Sequence, residues 1–470
     1  MTSKELSENK KNKQIEEGIA LFFIACNLVI CPNTSRLRKT KRQGHLISAN
    51  VIPASVHGIE EHRLNAGAIS IMEQLNHAGY EAYLVGGGVR DFLLGKTPKD
   101  FDIATNATPE QVTEIFRRAR IVGRRFQIVH VRVGPEVFEV TTFRAGHEGH
   151  KGTDAIQNEA GMLTRDNVWG SVEDDAKRRD FTLNALYYNH KDRCVYDFVG
   201  AWDDAKARRL RIIGDPETRY REDPVRMLRA IRFMGKLPLT IDEKTELPII
   251  DLGHLLTEVS SSRLFDEVLK LLQAGHGADT FELLWEFGLF QTLFPEASAI
   301  LEANDTSTYW DLIEQALENT DARLQSGRTV NPAFLYACLL WPAAHQRFQQ
   351  ELRGGLEPAE AMAKAGAVTI DLNASTVAIP RRFAQVTREI WEMQLRLPNT
   401  QTRRALAMLR NPRFRAAYDF LLLREQSQEI ESGLGRWWTD FQAEHPDVKP
   451  EREVHTRDDR PRKRRRQYRK

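Results

Sequence analysis

Two aspartates, Asp100 and Asp102, carry the side chains in this sequence that are best suited to catalysis. They lie at the start of a predicted strand, 101–105, in which residues i and i+2 point to the same face about 6.5 Å apart. Such a pair can share divalent cations, whereas an isolated Asp-x-Asp pair is more often only solvated. Because like charges on one face need a counter-charge, and because a glycine-rich turn lies close upstream, we predict that the pair binds metal.

The glycine-rich turn, Gly86-Gly87-Gly88, connects a predicted strand to a short predicted helix that carries Arg90. Glycines allow the backbone to approach a ligand closely, and the N-terminus of the following helix presents free N–H groups to an anion. Arg90 can add a bidentate contact to a phosphate. A glycine-rich turn also occurs for purely structural reasons, so this motif taken alone leaves both interpretations open.

Glu139 lies in the second strand of a predicted hairpin, whose strands 127–133 and 137–143 are joined by Gly134-Pro135. Strand interiors usually avoid glutamate, so this residue calls for an explanation. Its side chain points to solvent, or it supplies a third carboxylate if the strand lies beside the aspartate pair. The sequence leaves these two alternatives open.

A charged motif contains Arg179, Asp180 and Asn184, on a predicted helix over residues 174–187. Positions 180 and 184 are four residues apart and would share one face of that helix. This face can meet a ribose hydroxyl and phosphate oxygens together, or it can be a solvated helix face.

A second charged motif contains Asp223, Pro224 and Arg226. An aspartate before a proline is a strong signal for a helix N-cap, so capping explains Asp223 without any ligand. Capping does not explain Arg226, which projects from the first turn of the predicted helix.

These motifs require a sheet and, after it, a set of helices. Strand patterns are confined to the first half of the chain, and amphipathic helical patterns dominate beyond Arg221. We therefore predict an α+β fold, with an N-terminal head that has a small mixed β-sheet and helices, followed by all-α domains. The predicted parts are an extension (1–62), the head (63–205), a helical neck (206–275), a helical body (276–445) and a disordered basic tail (446–470).

Composition and charge exclude several classes of protein. With 41% hydrophobic and 28% charged residues, the chain is predicted to be globular and neither disordered nor embedded in a membrane. Four cysteines without a Cys-x-x-Cys pair favour a reducing cytoplasm and no zinc site. The apolar run 18–31 is too short to span a bilayer, which needs about 20 residues, although a peripheral anchor there stays an alternative to a buried segment.

In order and spacing, four segments resemble the class II nucleotidyltransferases of the DNA polymerase β superfamily. The matching segments are LVGGGVRDFLLG (84–95), DFDIAT (100–105), RRDFTLNAL (178–186) and REDPVRMLRAIRF (221–233). The resemblance implies a nucleotidyltransferase head, in which Asp100 and Asp102 bind two catalytic Mg²⁺ ions and Glu139 is the candidate third ligand.

The same resemblance implies roles for the other motifs. Asp180 is implied to act with the aspartate pair in catalysis. The residues implied to contact the phosphates and ribose of ATP are Gly86, Gly87, Arg90, Arg179, Asp180 and Asn184. Asp223 and Arg226 match the pair that reads the edge of the nucleobase.

Within this superfamily, residues 121–131 (IVGRRFQIVHV) are similar to a Gly-Arg-Arg-Phe-x-x-x-His pattern of bacterial poly(A) polymerases. CCA-adding enzymes usually have a His-Gly-Thr segment there, which this sequence lacks. The resemblance implies a monomeric, cytoplasmic enzyme that adds AMP from ATP to RNA 3′ ends and promotes RNA decay, with RNA-decay proteins as partners. CCA addition to tRNA and an inactive RNA-binding adaptor are the alternatives.

The basic tail is predicted to bind RNA phosphates, because residues 457–470 hold nine Lys or Arg against two Asp. The central basic residues are Arg462, Lys463, Arg464, Arg465 and Arg466. If about six of the nine engage phosphates, deletion of 457–470 should lower the slope of log K against log salt by about 4, since single strands release about 0.7 counterion per phosphate. RNA affinity across a salt series measures this, and an unchanged slope would contradict the RNA-binding role.

Overall fold

The computed structural model describes residues 49–123, 127–145, 155–157, 163–166, 168–303 and 308–450. In this part of the chain, no helix is both long enough and apolar enough to cross a membrane. The apolar run 18–31 and the basic residues 462–466, which the sequence analysis singled out, lie outside the described residues. So do residues 124–126 of the Gly-Arg-Arg-Phe pattern.

An eight-stranded mixed sheet forms the head. The strands of the chain are β1 (Asn50–Ile52), β2 (Ala82–Val85), β3 (Asp102–Thr105), β4 (Ala119–Val122), β5 (Ile128–Val133), β6 (Glu136–Thr142), β7 (Ala155–Gln157), β8 (Leu163–Asp166), β9 (Leu186–Asn189), β10 (Cys194–Asp197), β11 (Arg209–Leu210) and β12 (Thr240–Ile241). The order in the large sheet is β1-β10-β9-β2-β3-β6-β5-β4. Its strands pair antiparallel except β3 and β6, which are parallel.

Helices lie around the sheet and make up most of the described residues that follow it. They are α1 (Ala54–His57), α2 (Ala66–His77), α3 (Gly87–Leu93), α4 (Pro109–Ile115), α5 (Val172–Arg178), α6 (Ala201–Ala207), α7 (Pro216–Glu222), α8 (Val225–Lys236), α9 (Glu243–Leu252), α10 (Ser261–Leu272), α11 (Gly277–Glu286), α12 (Leu289–Leu293), α13 (Pro295–Ala303), α14 (Thr308–Gln325), α15 (Pro332–Leu339), α16 (Trp341–Arg353), α17 (Pro358–Asn373), α18 (Arg381–Gln394), α19 (Thr402–Arg410), α20 (Phe414–Gln426) and α21 (Leu434–Glu444). Short 3₁₀ turns lie at Glu61–Arg63, Thr182–Asn184 and Gly253–Glu258. The predicted α+β fold with a helical remainder is confirmed.

The strand before the glycine-rich turn is buried on both faces of the sheet. Leu84 of β2 belongs to the main core, whereas Tyr83 and Val85 pack into a second cluster on the opposite face. Burying apolar side chains of this size stabilises the fold by about 1.5–3 kcal/mol each, so the end of β2 is held firmly in place.

The predicted helix 174–187 is wrong in its second half. Helix α5 ends at Arg178, and the chain continues through a 3₁₀ turn into strand β9. The Thr182 amide donates to the Arg211 carbonyl, and the Ile213 amide donates to the Asp180 carbonyl. Hydrogen bonds to a distant segment therefore replace those that would continue the helix, a tertiary effect that helical periodicity does not reveal.

The structure also refines two parts of the sequence analysis. Within the amphipathic region beyond Arg221, residues 402–426 form two helices, α19 and α20, because Pro412 between them has no N–H and cannot continue a helix. Regular structure begins before residue 63, since β1 pairs with β10 at the edge of the sheet and lies within the predicted extension 1–62. A strand of three residues is too short to give a reliable alternating pattern.

Candidate active site

The aspartate pair lies where β3 begins, in the middle of the sheet. Asp102 is the first residue of β3 and pairs with Val85 at the end of β2, while Asp100 precedes the strand and is exposed. On the other side of β3, the parallel register of Ile103 with Val140 places Glu139 next to Asp102. The structure therefore brings the three predicted carboxylates to one place on the sheet.

The glycine-rich turn lies directly against this strand end. Gly86 has a φ of +72°, which L side chains rarely adopt. A Cβ at Gly86 would lie 3.7 Å from Asp102 Oδ2 and 3.6 Å from Arg179 Nη1, and a Cβ at Gly88 would lie 3.3 Å from the Asp100 carbonyl oxygen. Glycine is thus required by the backbone at position 86, and it leaves the space between the carboxylate and the guanidinium free of a side chain.

The carboxylates at this site repel one another. Burial, followed by the negative charge of Glu139, raises the pKa of Asp102 to about 6, with Asp100 adding to the increase and Arg179 opposing it. A cation would remove this repulsion, and carboxylate oxygens are ligands that Mg²⁺ prefers.

The carboxylates of Asp100 and Asp102 are suited to Mg²⁺ ions whose remaining ligands come from the substrate. Within the described ranges, no three His, Cys, Asp or Glu side chains are already gathered closely enough to hold a metal ion by themselves. Mg²⁺ is usually bound by one or two carboxylates and completed by water and substrate phosphates, which is what Asp100 and Asp102 can provide. Glu139 is half-exposed, and its Oε1 lies 3.6 Å from His130 Nε2 on the adjacent strand.

Arg179 is fixed beside the pair by a buried acidic residue that the sequence analysis missed. Its guanidinium donates to Asp175 Oδ2 at 3.1 and 3.2 Å and to the Tyr187 hydroxyl at 2.9 Å. Burial opposes ionisation of Asp175, but the neighbouring arginines hold the pKa of this carboxyl below its usual value. Asp175 and Arg179 are four residues apart, a spacing that could have indicated this pair.

Arg90 is buried, and its guanidinium is engaged within the protein. It donates to Asn184 Oδ1 at 2.8 Å and to Asp91 Oδ1 at 2.7 and 2.9 Å, and it lies 5.0 Å from the centre of the Phe233 ring. The structure therefore favours a positioning role for Arg90, which holds Asn184 in place, over the predicted direct contact with a phosphate.

Asp180 joins the head to the neck. Its Oδ1 accepts hydrogen bonds from Asn184 Nδ2 at 3.0 Å and from the Phe181 amide at 2.8 Å, and its Oδ2 accepts from Arg229 Nε of helix α8 at 2.6 Å. Burial opposes the charged form, but the Arg229 guanidinium and these hydrogen bonds hold the pKa of Asp180 well below its usual range. Since both oxygens have partners, the geometry gives Asp180 a positioning role beside the predicted catalytic one.

Sequence reasoning also missed two arginines of the neck, Arg219 and Arg229. Arg219 donates to the Arg178 and Arg179 carbonyl oxygens at 2.6 and 2.7 Å and thereby connects helix α7 to the charged motif of the head. Arg229 lies three residues after Arg226, on the same face of helix α8, and this spacing was the available signal.

The predicted base-reading pair is bound to protein partners. The N-cap position of α8 is Pro224, without a side-chain cap, so the predicted capping role of Asp223 is wrong. Asp223 ends α7 instead, and its Oδ2 accepts from Arg263 at 2.8 Å. Arg226 Nη1 donates to Glu222 Oε2 at 3.0 Å and to the Arg219 carbonyl at 2.6 Å. These contacts involve Asp223 Oδ2 and Arg226 Nη1.

Comparison with known proteins first defines the class. The structure of the Bacillus stearothermophilus CCA-adding enzyme in complex with CTP matches with a TM-score of 0.53 and 26% identity, over 81% of this chain and 82% of that chain. Family models for the poly A polymerase head domain, for a probable RNA and SrmB-binding site of polymerase A and for the arginine-rich C-terminus of polymerase A match residues 82–211, 238–301 and 354–470. The fold is that of a nucleotidyltransferase, a class that generally depends on a divalent metal.

Two sequence relatives define the family within that class. Poly(A) polymerase I of Escherichia coli O6:H1 is 50% identical over 84% of this chain and 86% of its own length. Poly(A) polymerase I of Haemophilus influenzae is 45% identical over 86% of this chain and 90% of its own. This chain belongs to the poly(A) polymerase family.

The ion pair between Asp180 and Arg229 should stabilise the junction of head and neck. We expect a coupling free energy of about 1–3 kcal/mol in a double-mutant cycle of Asp180→Asn and Arg229→Gln, measured by urea unfolding at pH 7. Because the pKa of Asp180 is lowered in the folded state, this stabilisation is present above the unfolded-state pKa of about 4 and is lost as the pH falls below it. Additive effects at pH 7, or a coupling that does not decline between about pH 5 and pH 3, would contradict this assignment.

Proposed function

We propose that this chain adds AMP residues from ATP to RNA 3′ ends without a template, releases pyrophosphate, and thereby promotes RNA decay. The observation that carries the proposal is the position of Asp102, which lies next to Gly86 and Arg179 where strand β3 begins. The proposal is supported by the space at Gly86, which lies between the Asp102 carboxylate and the Arg179 guanidinium, in a chain that is 50% identical to a poly(A) polymerase I.

Two Mg²⁺ ions are the proposed cofactors. The donor atoms would be the carboxylates of Asp100 and Asp102, with Glu139 as the candidate third ligand. Bound Mg²⁺ neutralises the negative charge that develops on phosphate oxygens and lowers the pKa of the attacking 3′-hydroxyl.

The protein residues supply binding and orientation. Arg179, anchored by Asp175 and Tyr187, is proposed to bind the triphosphate, and the absence of a side chain at Gly86 gives the phosphates access to it. Asn184 is proposed to contact the ribose, and Arg90 and Asp180 hold its amide group in position.

Adenine selection is proposed to lie with Asp223 and Arg226. The carboxylate accepts hydrogen bonds and the guanidinium only donates them, so together they can match the donor and acceptor groups on the edge of one base. Their present partners, Arg263 and Glu222, keep both charges compensated before a nucleotide arrives.

The wider setting follows from the same proposal. RNA is proposed to be bound by the neck and body, which include the matched region 238–301, and by the basic tail. We propose that the enzyme acts as a monomer in the cytoplasm, together with RNA-decay proteins.

The test is incubation of the purified protein with an RNA primer, Mg²⁺ and each nucleotide separately. ATP should be incorporated far better than CTP, UTP or GTP, and Arg226→Ala should reduce the preference by about 1–3 kcal/mol, the usual cost of a lost base contact. Efficient CTP addition by the wild type would favour tRNA repair, and no incorporation at all would favour an inactive adaptor. An equal loss for all four nucleotides in Arg226→Ala would assign Arg226 to structure or phosphate binding.

A further inference from the structure

A groove in the helical body, distant in sequence from the aspartate pair, has the chemistry of a nucleotide site. It has a volume of about 920 Å³ and lies between helices α14, α15 and α20 and the loop 326–331. This volume lies in the range of about 300–1,000 Å³ that is usual for ligand sites. The groove walls come from segments that none of the active-site motifs includes.

Arginines make the groove attractive to a phosphate. Arg323, Arg328 and Arg415 line it and are exposed, against a single lining carboxylate, Asp419. Arg415 is paired with Asp419 at 2.8 Å, whereas the side chain of Arg328 has no hydrogen bond or ion pair within the described part of the chain. A guanidinium without a partner is available to bind a phosphate oxygen at no cost to an existing ion pair.

The arginines of the adjoining segment enlarge the positively charged surface around the groove. Residues 402–415, which run from α19 to the start of α20, hold five arginines and no acidic residue. Pro412 and Arg415 of this segment also line the groove. In a chain whose central part is acidic, a polyanion would be drawn to this side of the body.

The apolar and polar wall residues fit a nucleobase. Phe334 and Phe383 line the groove, and such rings stack on any base. Gln273 also lines the groove, and its amide nitrogen is buried without an acceptor in the described structure. Both carboxylate oxygens of the half-buried Asp419 are engaged by Arg415, at 2.8 and 3.1 Å. A ring nitrogen of a base can therefore accept a hydrogen bond from the Gln273 amide, while the Asp419 carboxylate stays with Arg415.

We propose that this groove binds one nucleotide of the RNA primer upstream of its 3′ end, with the phosphates on Arg323 and Arg328 and the base between the aromatic walls. The inference rests on the proposed function, because RNA is the substrate of that function. The groove thereby holds the primer during repeated AMP addition, at a place separate from the metal-binding carboxylates.

The test compares two charge-matched double variants of the full-length protein. Arg323→Gln with Arg328→Gln removes two charges from the groove, whereas Arg353→Gln with Arg436→Gln removes two exposed charges from outside its lining. All four side chains are exposed, so both variants should fold as the wild type does. RNA affinity is measured across a salt series with a single-stranded primer of about 20 nucleotides, and extension is measured with that primer and with one of about four.

The groove variant should lower the slope of log K against log salt by about 1.4, since each phosphate contact on a single strand contributes about 0.7. It should extend the short primer as the wild type does and should dissociate sooner from the long one. An unchanged slope, or an equal loss in the control variant, would overturn the groove assignment. Failure of the wild type to incorporate AMP would instead refute the proposed function, so the two failures are distinguishable.

Discussion

The close placement of the negatively charged carboxylates of Asp100, Asp102 and Glu139 is the constraint on which the rest of this structure depends. Asp102 is paired with Val85 of β2 and lies beside Glu139 and close to Asp100. Burial, followed by the charges of Glu139 and Asp100, raises its pKa to about 6, roughly two units above the ordinary value. Such a shift corresponds to about 3 kcal/mol against the ionised form. The fold maintains this arrangement through apolar burial of β2 and partly offsets it with Arg179.

Ion pairs and hydrogen bonds that compensate charges also connect the sheet region to helices α7 and α8. Arg179 is held by Asp175, Asp180 is held by Arg229, and Arg219 donates to the backbone of the same motif. These contacts cross between the sheet and helices α7 and α8, so they couple the motif proposed to bind phosphate to the motif proposed to read the base. Binding of a nucleotide at one motif is therefore expected to alter the contacts of the other.

The motifs and most of the helices and strands could be predicted from the sequence. Glycines, prolines and alternating apolar patterns indicate local structure without knowledge of the rest of the fold. The hairpin that carries Glu139 was predicted and is confirmed. The helix predicted through Asp180 was wrong, since its backbone bonds to residues 211–213 instead. Arg229 was missed because its partner, Asp180, is 49 residues away in the chain, which periodicity does not show. Asp175 was missed although its spacing to Arg179 was a local signal, because its burial comes from tertiary packing.

The central claim is that Asp102 is retained at an electrostatic cost because it binds the catalytic metal. The most direct measurement compares Asp102→Asn with the wild type, by urea unfolding in EDTA and by AMP incorporation with Mg²⁺, both at pH 8. A raised folded-state pKa makes wild-type stability fall as the pH rises from about 4 to about 6, so the variant should be more stable, by up to about 3 kcal/mol. Its activity should fall at least about 1,000-fold, which is about 4 kcal/mol in the barrier. Activity within about tenfold of the wild type, or a variant less stable than the wild type at pH 8, would contradict the account.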